Sequence, residues 1–244
     1  MKNLLYELNE KALDFYHQQL CNSNIALKYL KERHIKSSTL ENFKIGYAGS
    51  NNNLYTYLKE QGYSDEIIIA SSLVGKDEEG NYIDRYNNRI IFPVKDIDGK
   101  IIAFGGRIID NSTLKYINNA ETDIYCKAES LYGIDIAKDY TDNGIIIVEG
   151  YFDYITLYQA GIKNVVALLG TAITDEQIEL IKKYTNKVIL IFDSDLAGQC
   201  ATKRAIEKFK VYDIKYTNIK LEGAKDVDEF INKYDIDSLK NLLN

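Results

Sequence analysis

Six acidic residues in the second half of the chain share one setting, because each ends an apolar run or lies within a few residues of such an end. They are Glu149, Asp153, Asp193, Asp195, Asp226 and Asp228. Neighbouring carboxylates raise each other's pKa, so a cluster of them needs a compensating charge. Oxygen ligands of this kind suit Mg²⁺ or Mn²⁺ better than zinc, and two such ions can hold the attacking and leaving oxygens of a phosphoryl transfer. The pattern therefore indicates phosphodiester or nucleotide chemistry.

Some of these residues also have a purely structural explanation. Asp195 and Asp226 could serve only as N-caps of the helices that follow them. Asp153 could be a solvated position on a helix. Glu149, at the tip of the apolar run IIIVE, is harder to explain in this way, so the set as a whole favours a metal site.

Strands and helices alternate from Gly144 onward. The predicted strands are GIIIVEG, NVVALLG, KVILIFD and IKYTNIKL, and the predicted helices are YFDYITLYQAG, DEQIELIKKY, AGQCATKRAIEKF and DVDEFINKY. Thr174 and Gln177 form a predicted capping box at the start of the second helix. Apolar strands separated by helices predict a mostly parallel sheet covered on both faces. Ligands bind at the carboxyl ends of such strands, where the acidic residues lie.

The first half of the chain has a different pattern. Helical spacing of apolar residues predicts two helices between residues 4 and 33, and RIIFPV, DIDG and KIIAFGGRII predict a hairpin between residues 82 and 109. The predicted fold class is α/β, with an α+β region first and a mostly parallel α/β region after it.

Bulk properties exclude several classes of protein. The 244 residues carry a net charge of −6, which argues against binding nucleic acid by overall charge alone but leaves room for a local basic track. No apolar run approaches the roughly 20 residues that span a membrane. Cys21, Cys126 and Cys200 are far apart, so we expect neither a zinc site nor a disulfide framework, and we expect a cytoplasmic protein.

Two stretches carry a family resemblance. VEGYFDYITLYQAGIKNVVALLGTAIT followed by IFDSDLAGQCATKRAIE resembles a Toprim domain, the metal-dependent fold of bacterial primases, topoisomerases and some nucleases. Upstream, DRYNNRIIFPVKDIDGKIIAFGGRIID and KYINNAETDIYCKAESLYGIDIA resemble the N-terminal part of the catalytic core of bacterial DnaG-type replicative primases. The resemblance implies an N-terminal subdomain over 1–142, a Toprim domain over 143–234 and the start of a C-terminal helical region over 235–244.

The resemblance also implies site residues. Glu149 would be the acidic residue of the first Toprim motif, Asp193 and Asp195 the Asp-x-Asp metal ligands, and Asp226 and Asp228 a second metal-associated pair. Glu149 could act as a metal ligand or as a proton-transfer group. The family places template and nucleotide contacts in blocks that contain Arg85, Arg89, Arg107, Lys115 and Lys127.

The implied activity is de novo synthesis of short RNA primers on single-stranded DNA from nucleoside triphosphates, with two or more Mg²⁺ or Mn²⁺ ions. An RNA–DNA primer duplex and, for the full-length family, the replicative helicase are the implied partners. The implied location is the cytoplasm of a bacterium, at the replication fork, with a phage or mobile element as an alternative source. We find neither the family's zinc-binding module nor its helicase-binding domain in the sequence.

Three positions depart from the family pattern. Ser194 replaces the glycine of Asp-Gly-Asp and gives up access to positive φ, so we expect a slightly different turn. Asn87 replaces a basic residue in the RYNNR block, and the sequence over 118–120 is Asn-Asn-Ala instead of Asn-Ser-Pro.

Two rival functions remain open at this point. A Toprim nuclease or topoisomerase fragment would use the same carboxylates to cut phosphodiesters. A non-catalytic module would bind single strands through basic and aromatic side chains, and its binding would be indifferent to Asp193→Asn.

Overall fold

The computed structural model describes residues 1–50, 53–110, 114–170 and 172–243. It divides into two compact units, Met1–Cys126 and Lys127–Asn244. The first combines helices with an antiparallel sheet and the second has a parallel sheet, which confirms the predicted α/β fold class. Residues 127–142 belong to the second unit, and the domain boundary at 142/143 stays a prediction. None of the described helices is long and apolar enough to cross a membrane.

In sequence, the helices of the first unit precede most of its strands. In the described residues they are α1 (Lys2–Cys21), α2 (Asn24–Glu32), α3 (Ser37–Phe43), α4 (Leu54–Glu60) and α5 (Asp65–Ala70). α1 buries one stripe of side chains, among them Leu5, Ala12 and Tyr16, because they recur at helical spacing. The Ser23 hydroxyl accepts a hydrogen bond from the Ala26 N–H at the start of α2. Both helices predicted between residues 4 and 33 are therefore present.

The strands of the first unit form a four-stranded antiparallel sheet and a separate ribbon. They are β1 (Gly46–Ala48), β2 (Val74–Lys76), β3 (Tyr82–Asp84), β4 (Arg89–Lys95), β5 (Ile101–Ile108) and β6 (Tyr116–Asn118). The sheet order is β1-β4-β5-β6, and β2 pairs with β3. β4 and β5 are the predicted hairpin, and its turn is stabilised because Asp96 accepts hydrogen bonds from the backbone N–H groups of Asp98 and Lys100.

The second unit is built around a four-stranded parallel sheet. A short 3-10 helix (Lys127–Glu129) precedes α6 (Ile134–Ala137), β7 (Ile145–Val148), α7 (Tyr151–Gln159), β8 (Val165–Ala167), α8 (Asp175–Lys182), β9 (Lys187–Leu190), α9 (Leu196–Val211), β10 (Lys215–Asn218), α10 (Val227–Tyr234) and α11 (Ile236–Leu243). The strand order is β10-β9-β7-β8, and each neighbouring pair is parallel. Every predicted strand and helix of this region is present.

Parallel pairing brings the carboxyl ends of β7 and β9 to the same edge of the sheet. Glu149 follows β7 directly, and Asp193 follows β9 by three residues. The capping box is also confirmed, because Thr174 Oγ1 accepts from the Gln177 N–H and Gln177 Oε1 accepts from the Thr174 N–H, each at 3.1 Å. The fold thus places Glu149 and Asp193 at one edge, as the sequence predicts.

Candidate metal centre and nucleic-acid interface

Glu149 and Asp193 are linked directly at the carboxyl edge of the sheet. The Asp193 backbone N–H donates to Glu149 Oε1 at 3.0 Å. The Asp193 side chain is 23% exposed, and Lys225 Nζ lies 3.8 Å from its Oδ2 atom. One strand-end carboxylate therefore holds the turn that carries the other.

The turn after Asp193 is tied to the loop that precedes α10. The Ser194 N–H donates to the Lys225 carbonyl at 2.8 Å, and the Ser194 hydroxyl donates to the Ala224 carbonyl at 3.0 Å. Ser194 is not among the described residues with positive φ. Serine therefore fits this turn without strain, and its hydroxyl adds a tie that glycine does not offer.

Asp195 begins α9 as its N-cap. Its Oδ1 atom accepts from the Gly198 N–H at 2.9 Å, which is the structural role considered from the sequence. A Cβ at Gly198 would collide with the carbonyl oxygen of Asp193, so only glycine lets the first turn of α9 pack against this turn. Capping engages one oxygen of Asp195, and the other oxygen has no partner in the described part of the chain.

Asp226 and Asp228 open α10 and differ in their surroundings. Asp226 is the N-cap and accepts from the Glu229 N–H at 2.8 Å. Asp228 is 7% exposed, and its Oδ1 atom accepts from the Thr156 hydroxyl of α7 at 2.9 Å. The two aspartates, equivalent by spacing, are therefore not equivalent in structure.

Asp153 is buried, and a solvated helix position is the wrong interpretation for it. The residue is 9% exposed, and its Oδ1 atom accepts from the Asp228 N–H at 3.3 Å. The reason is that α7 is buried on almost every side, since all residues from Tyr151 to Leu157 are buried. Asp153 therefore belongs to the acidic edge.

The carboxylates at this edge raise one another's pKa. Burial, and then the charges of Glu149 and Asp226, raise the pKa of Asp193 to about 6, and Lys225 opposes the shift. Burial and then the Asp195 charge raise the pKa of Glu149. Burial, followed by the charges of Asp226 and Asp193, raises the pKa of Asp153 well above its ordinary value. These groups carry a repulsion that a bound cation would relieve.

The residues fit a hard divalent cation by their chemistry. Within residues 1–50, 53–110, 114–170 and 172–243, no three His, Cys, Asp or Glu side chains are already arranged as a metal-binding group. The donors at this edge are carboxylate oxygens, which suit Mg²⁺ or Mn²⁺ and lack the nitrogen and sulfur that zinc prefers. The hydrogen bond that joins Glu149 and Asp193, together with their raised pKa values, supports cation binding.

A cleft of about 460 Å³ opens beside Asp193. Its floor includes Phe192 and Ile219, which are 5% and 7% exposed, and its rim carries Lys203 and Lys220. The volume lies in the range that small-molecule sites occupy, with an apolar floor and polar groups at the rim.

Arg107 lies in an aromatic and basic patch of the first unit. On β5 it is opposite Tyr116 of β6, and its guanidinium is 4.7 Å from the centre of that ring. The Arg107 Nε–H donates to the Tyr29 hydroxyl at 3.2 Å, and the Arg33 guanidinium is 5.8 Å from the Tyr29 ring. Aromatic rings and arginines in contact are typical of surfaces that bind single-stranded nucleic acid. We call Tyr29, Arg33, Arg107 and Tyr116 the arginine–tyrosine patch.

The other predicted basic contacts are less alike than the sequence suggests. Arg89 is 6% exposed, and its guanidinium donates to the carbonyls of Gly106, Lys115 and Leu114. Arg85 donates to the Asn118 carbonyl from an exposed position, and Lys115 is exposed. Lys127 lies in the second unit, where burial lowers its pKa. The nucleic-acid role of all five predicted basic residues stays a prediction.

Several residues of these sites were not identified from the sequence. They are Tyr29, Arg33, Tyr116, Thr156, Gly198 and Lys225. Most act through contacts with residues distant in the chain, so no local spacing signals them. Gly198 is the residue that the sequence could have indicated, because a glycine in the first turn of a helix often marks a place where another backbone segment packs closely.

Two family models match the chain. Residues 15–138 match the DNA primase catalytic core, N-terminal domain, and residues 146–231 match the Toprim-like family. The first match alone spans more than half of the chain. This chain belongs to the DnaG-type DNA primase family. The resemblance found in the sequence is therefore confirmed.

Curated DNA primases match over almost the whole chain. The DNA primase of Clostridium acetobutylicum is 42% identical over 233 residues, which cover 94% of this chain and 39% of the relative. The DNA primase of Aquifex aeolicus is 36% identical over 243 residues, which cover 98% of this chain and 49% of the relative. This primase-family chain thus spans less than half the length of either relative.

Solved primase structures have the same fold. The Aquifex aeolicus primase, with its zinc-binding and RNA polymerase domains, superimposes with a TM-score of 0.91 at 37% identity, covering 98% of this chain and 60% of that one. A DnaG primase catalytic domain bound to single-stranded DNA superimposes with a TM-score of 0.87 at 32% identity, covering 99% and 81%. The α/β fold of this chain is therefore that of primase catalytic cores.

Proposed function

We propose that this chain is the catalytic core of a DNA primase, which synthesises short RNA primers de novo on single-stranded DNA from nucleoside triphosphates. The observation that carries the proposal is the meeting of acidic side chains at one sheet edge, where the Asp193 N–H donates to Glu149 and the Asp228 N–H donates to Asp153. Burial, and then neighbouring carboxylates, raise the pKa values of Glu149, Asp153 and Asp193. Membership in the primase family supports the same activity.

Two or more Mg²⁺ or Mn²⁺ ions are the proposed cofactors. Glu149, Asp193, Asp195 and Asp226 would hold them, with Asp153 and Asp228 beside these ligands. When bound, such ions would lower the pKa of a 3′-hydroxyl and neutralise the charge that develops on pyrophosphate. The protein's own part is to hold the carboxylates in place, because Glu149 accepts from the Asp193 N–H and Asp195 accepts from the Gly198 N–H.

The first unit would contact the template. Arg107 and Lys115 would neutralise phosphates, and Tyr29 and Tyr116 would offer stacking surfaces to unpaired bases. A DnaG catalytic domain of known structure, 32% identical to this chain, binds single-stranded DNA, which supports this assignment. Arg85 would serve as a further phosphate contact, while the buried Arg89 would support the strand that carries it.

The nucleotide would be bound by the second unit. Lys127, whose pKa is lowered by burial, and the cleft beside Asp193 are the proposed elements for contacts to a triphosphate. The RNA–DNA primer duplex would be the product. Because the relatives are bacterial primases, we propose a cytoplasmic replication protein, and the replicative helicase is the partner expected for the full-length family.

A primer-free synthesis assay tests this function. Labelled ribonucleotides and single-stranded DNA are incubated with the chain and Mg²⁺ or Mn²⁺, for the wild type, Asp193→Asn and the control Asp142→Asn. Asp142 is exposed, so its variant should behave as the wild type. We expect short RNA products from the wild type and the control and none from Asp193→Asn.

The rivals give other results in the same assay. A nuclease would shorten the template in an Asp193-dependent way without making RNA. A non-catalytic module would bind the template equally in all three proteins and make no product under either metal. Either result would overturn the proposed synthesis.

A further inference from the structure

A buried hydrogen bond joins the two helices that begin at the acidic edge. Thr156 of α7 and Asp228 of α10 are 8% and 7% exposed, and the Thr156 hydroxyl donates to Asp228 Oδ1 at 2.9 Å. The Asp228 backbone N–H in turn donates to Asp153 Oδ1 at 3.3 Å. These two hydrogen bonds therefore link α7 to α10 and α10 back to α7.

The bonded residues lie in the first two turns of α7 and the first turn of α10, and they follow Glu149 and Asp226 closely in sequence. α7 begins two residues after Glu149, and α10 begins immediately after Asp226. Any shift of one helix along the other would change the separation of these two carboxylates. Two hydrogen bonds at the start of α10 oppose such a shift, since Asp228 accepts from the Thr156 hydroxyl and its N–H donates to Asp153.

The Asp228 carboxylate is already engaged within the protein. Besides Thr156, the side-chain amide of Asn232 donates to Asp228 Oδ1 at 3.4 Å and to the Asp228 carbonyl at 2.8 Å. Asp226, in contrast, is less buried, and within the described residues its side chain accepts only from the Glu229 N–H, at 2.8 Å. Asp226 is therefore the member of this pair whose carboxylate keeps an oxygen open to a cation.

We propose that Thr156 is a positioning residue for the metal site, that it acts through Asp228, and that Asp228 is not itself a metal ligand. The inference rests on the proposed function, because it concerns the same cation site. Groups that orient metal ligands commonly affect metal affinity about 10- to 100-fold when they are removed. Thr156 would affect cation binding without contacting the cation.

Mn²⁺ binding to the whole chain tests the proposal without relying on activity. Electron paramagnetic resonance of free Mn²⁺ gives the affinity for the wild type, Thr156→Val and Thr156→Ser. Valine has the shape of threonine but cannot donate, so we expect the affinity to fall about tenfold. Serine keeps the hydroxyl and should restore most of the affinity. Thr185→Val is the matched control, because within the described residues the Thr185 hydroxyl bonds only to the backbone of Lys187, at the amino end of β9.

Variants of the two aspartates distinguish a residue that positions the metal site from one that binds the metal. Asp228→Asn removes the charge but keeps an oxygen that can accept from Thr156, so its loss of Mn²⁺ affinity should be much smaller than that of Asp226→Asn. Urea unfolding of each variant shows whether it is folded; should Thr156→Val not fold, Thr156→Ser and Asp228→Asn still carry the test.

Three results would overturn the proposal in distinguishable ways. Wild-type affinity in folded Thr156→Val would show that the hydroxyl positions nothing. An equal loss in Asp228→Asn and Asp226→Asn would make Asp228 a ligand. A wild-type chain that binds no Mn²⁺ would overturn the proposed metal site together with this inference.

Discussion

The carboxylate of Glu149 accepts a hydrogen bond from the backbone N–H of Asp193 at 3.0 Å, across the ends of two neighbouring parallel strands. Glu149 therefore has two separable properties, a negative charge and an acceptor that holds the Asp193 turn. A carboxylate exposed to solvent would not need this backbone N–H as a hydrogen-bond donor. The pairing explains why this glutamate ends an apolar strand.

Glu149→Gln and Glu149→Ala should separate these two properties. Glutamine keeps an acceptor for the Asp193 N–H and removes a carboxyl group whose pKa burial raises, so we expect a stability at least equal to that of the wild type. Priming should fall at least about 100-fold because the charge is lost. Alanine leaves the N–H without its acceptor, which should lower the free energy of unfolding by about 1–3 kcal/mol in addition. Urea unfolding and the primer assay measure the two effects, and equal stability of both variants would contradict the structural role.

Asp193→Asn should stabilise the metal-free protein at neutral pH. The folded pKa of Asp193 is about 6 against an ordinary value of 3.8, so the folded state binds more protons and wild-type stability falls as pH rises through this window. With allowance for its partial exposure, the penalty above pH 6 is about 1–2 kcal/mol. Asparagine has no such penalty.

Urea unfolding in EDTA at pH 4.5 and pH 8 checks this prediction. The free energy of unfolding of Asp193→Asn should exceed that of the wild type at pH 8, and most of this difference should disappear at pH 4.5. Mg²⁺ at pH 8 should stabilise the wild type more than the variant. An advantage for Asp193→Asn that is the same at both pH values would show that the pKa shift is not its source.

The parts of this structure that depend on local patterning could be predicted from the sequence. The hairpin around Asp96, the capping box at Thr174 and the alternating strands and helices all follow from spacing within a few residues. Parallel strands then place Glu149 and Asp193 at one edge, because topology alone determines which ends meet.

The parts that depend on distant contacts could not. Asp153 is buried because α7 is covered on nearly all sides, which its mixed sequence does not reveal. Arg89 is buried because β4 lies inside its sheet, and its donors go to carbonyls between 17 and 26 residues away. Thr156 meets Asp228 across 72 residues. Sequence spacing identifies the kind of chemistry, and packing determines which of the candidate residues can take part in it.

Gly198→Ala should distort the Asp193 turn. The added Cβ would collide with the backbone carbonyl of Asp193, and backbone cannot move aside as a flexible side chain can. We expect a loss of about 1–3 kcal/mol in the free energy of unfolding and a large loss of priming, although alanine normally favours a helix. Gly75→Ala is the control, since nothing lies within 4 Å of a Cβ there. Wild-type priming in Gly198→Ala would show that this close approach is not needed.

Arg107 and Arg89 should differ in what their removal changes, although both lie in blocks predicted to contact nucleic acid. Arg107 belongs to the arginine–tyrosine patch, so Arg107→Ala should weaken binding to a single-stranded oligonucleotide. If one phosphate contact is lost, the negative slope of log affinity against log salt should become smaller in magnitude by about 0.7. Arg107→Lys keeps the charge but not the planar contact with Tyr116, so its salt slope should be retained while its affinity falls.

Arg89→Ala should instead lower stability, because three carbonyls lose a buried donor. Its salt slope should equal that of the wild type once the measurement is made at a temperature where the variant is folded. Fluorescence anisotropy over a salt series gives the slopes, with Lys11→Ala as an exposed control on α1. A reduced slope for Arg89→Ala with unchanged stability would mean that this guanidinium leaves its carbonyls to bind phosphate, and that burial in the free protein does not exclude a template contact.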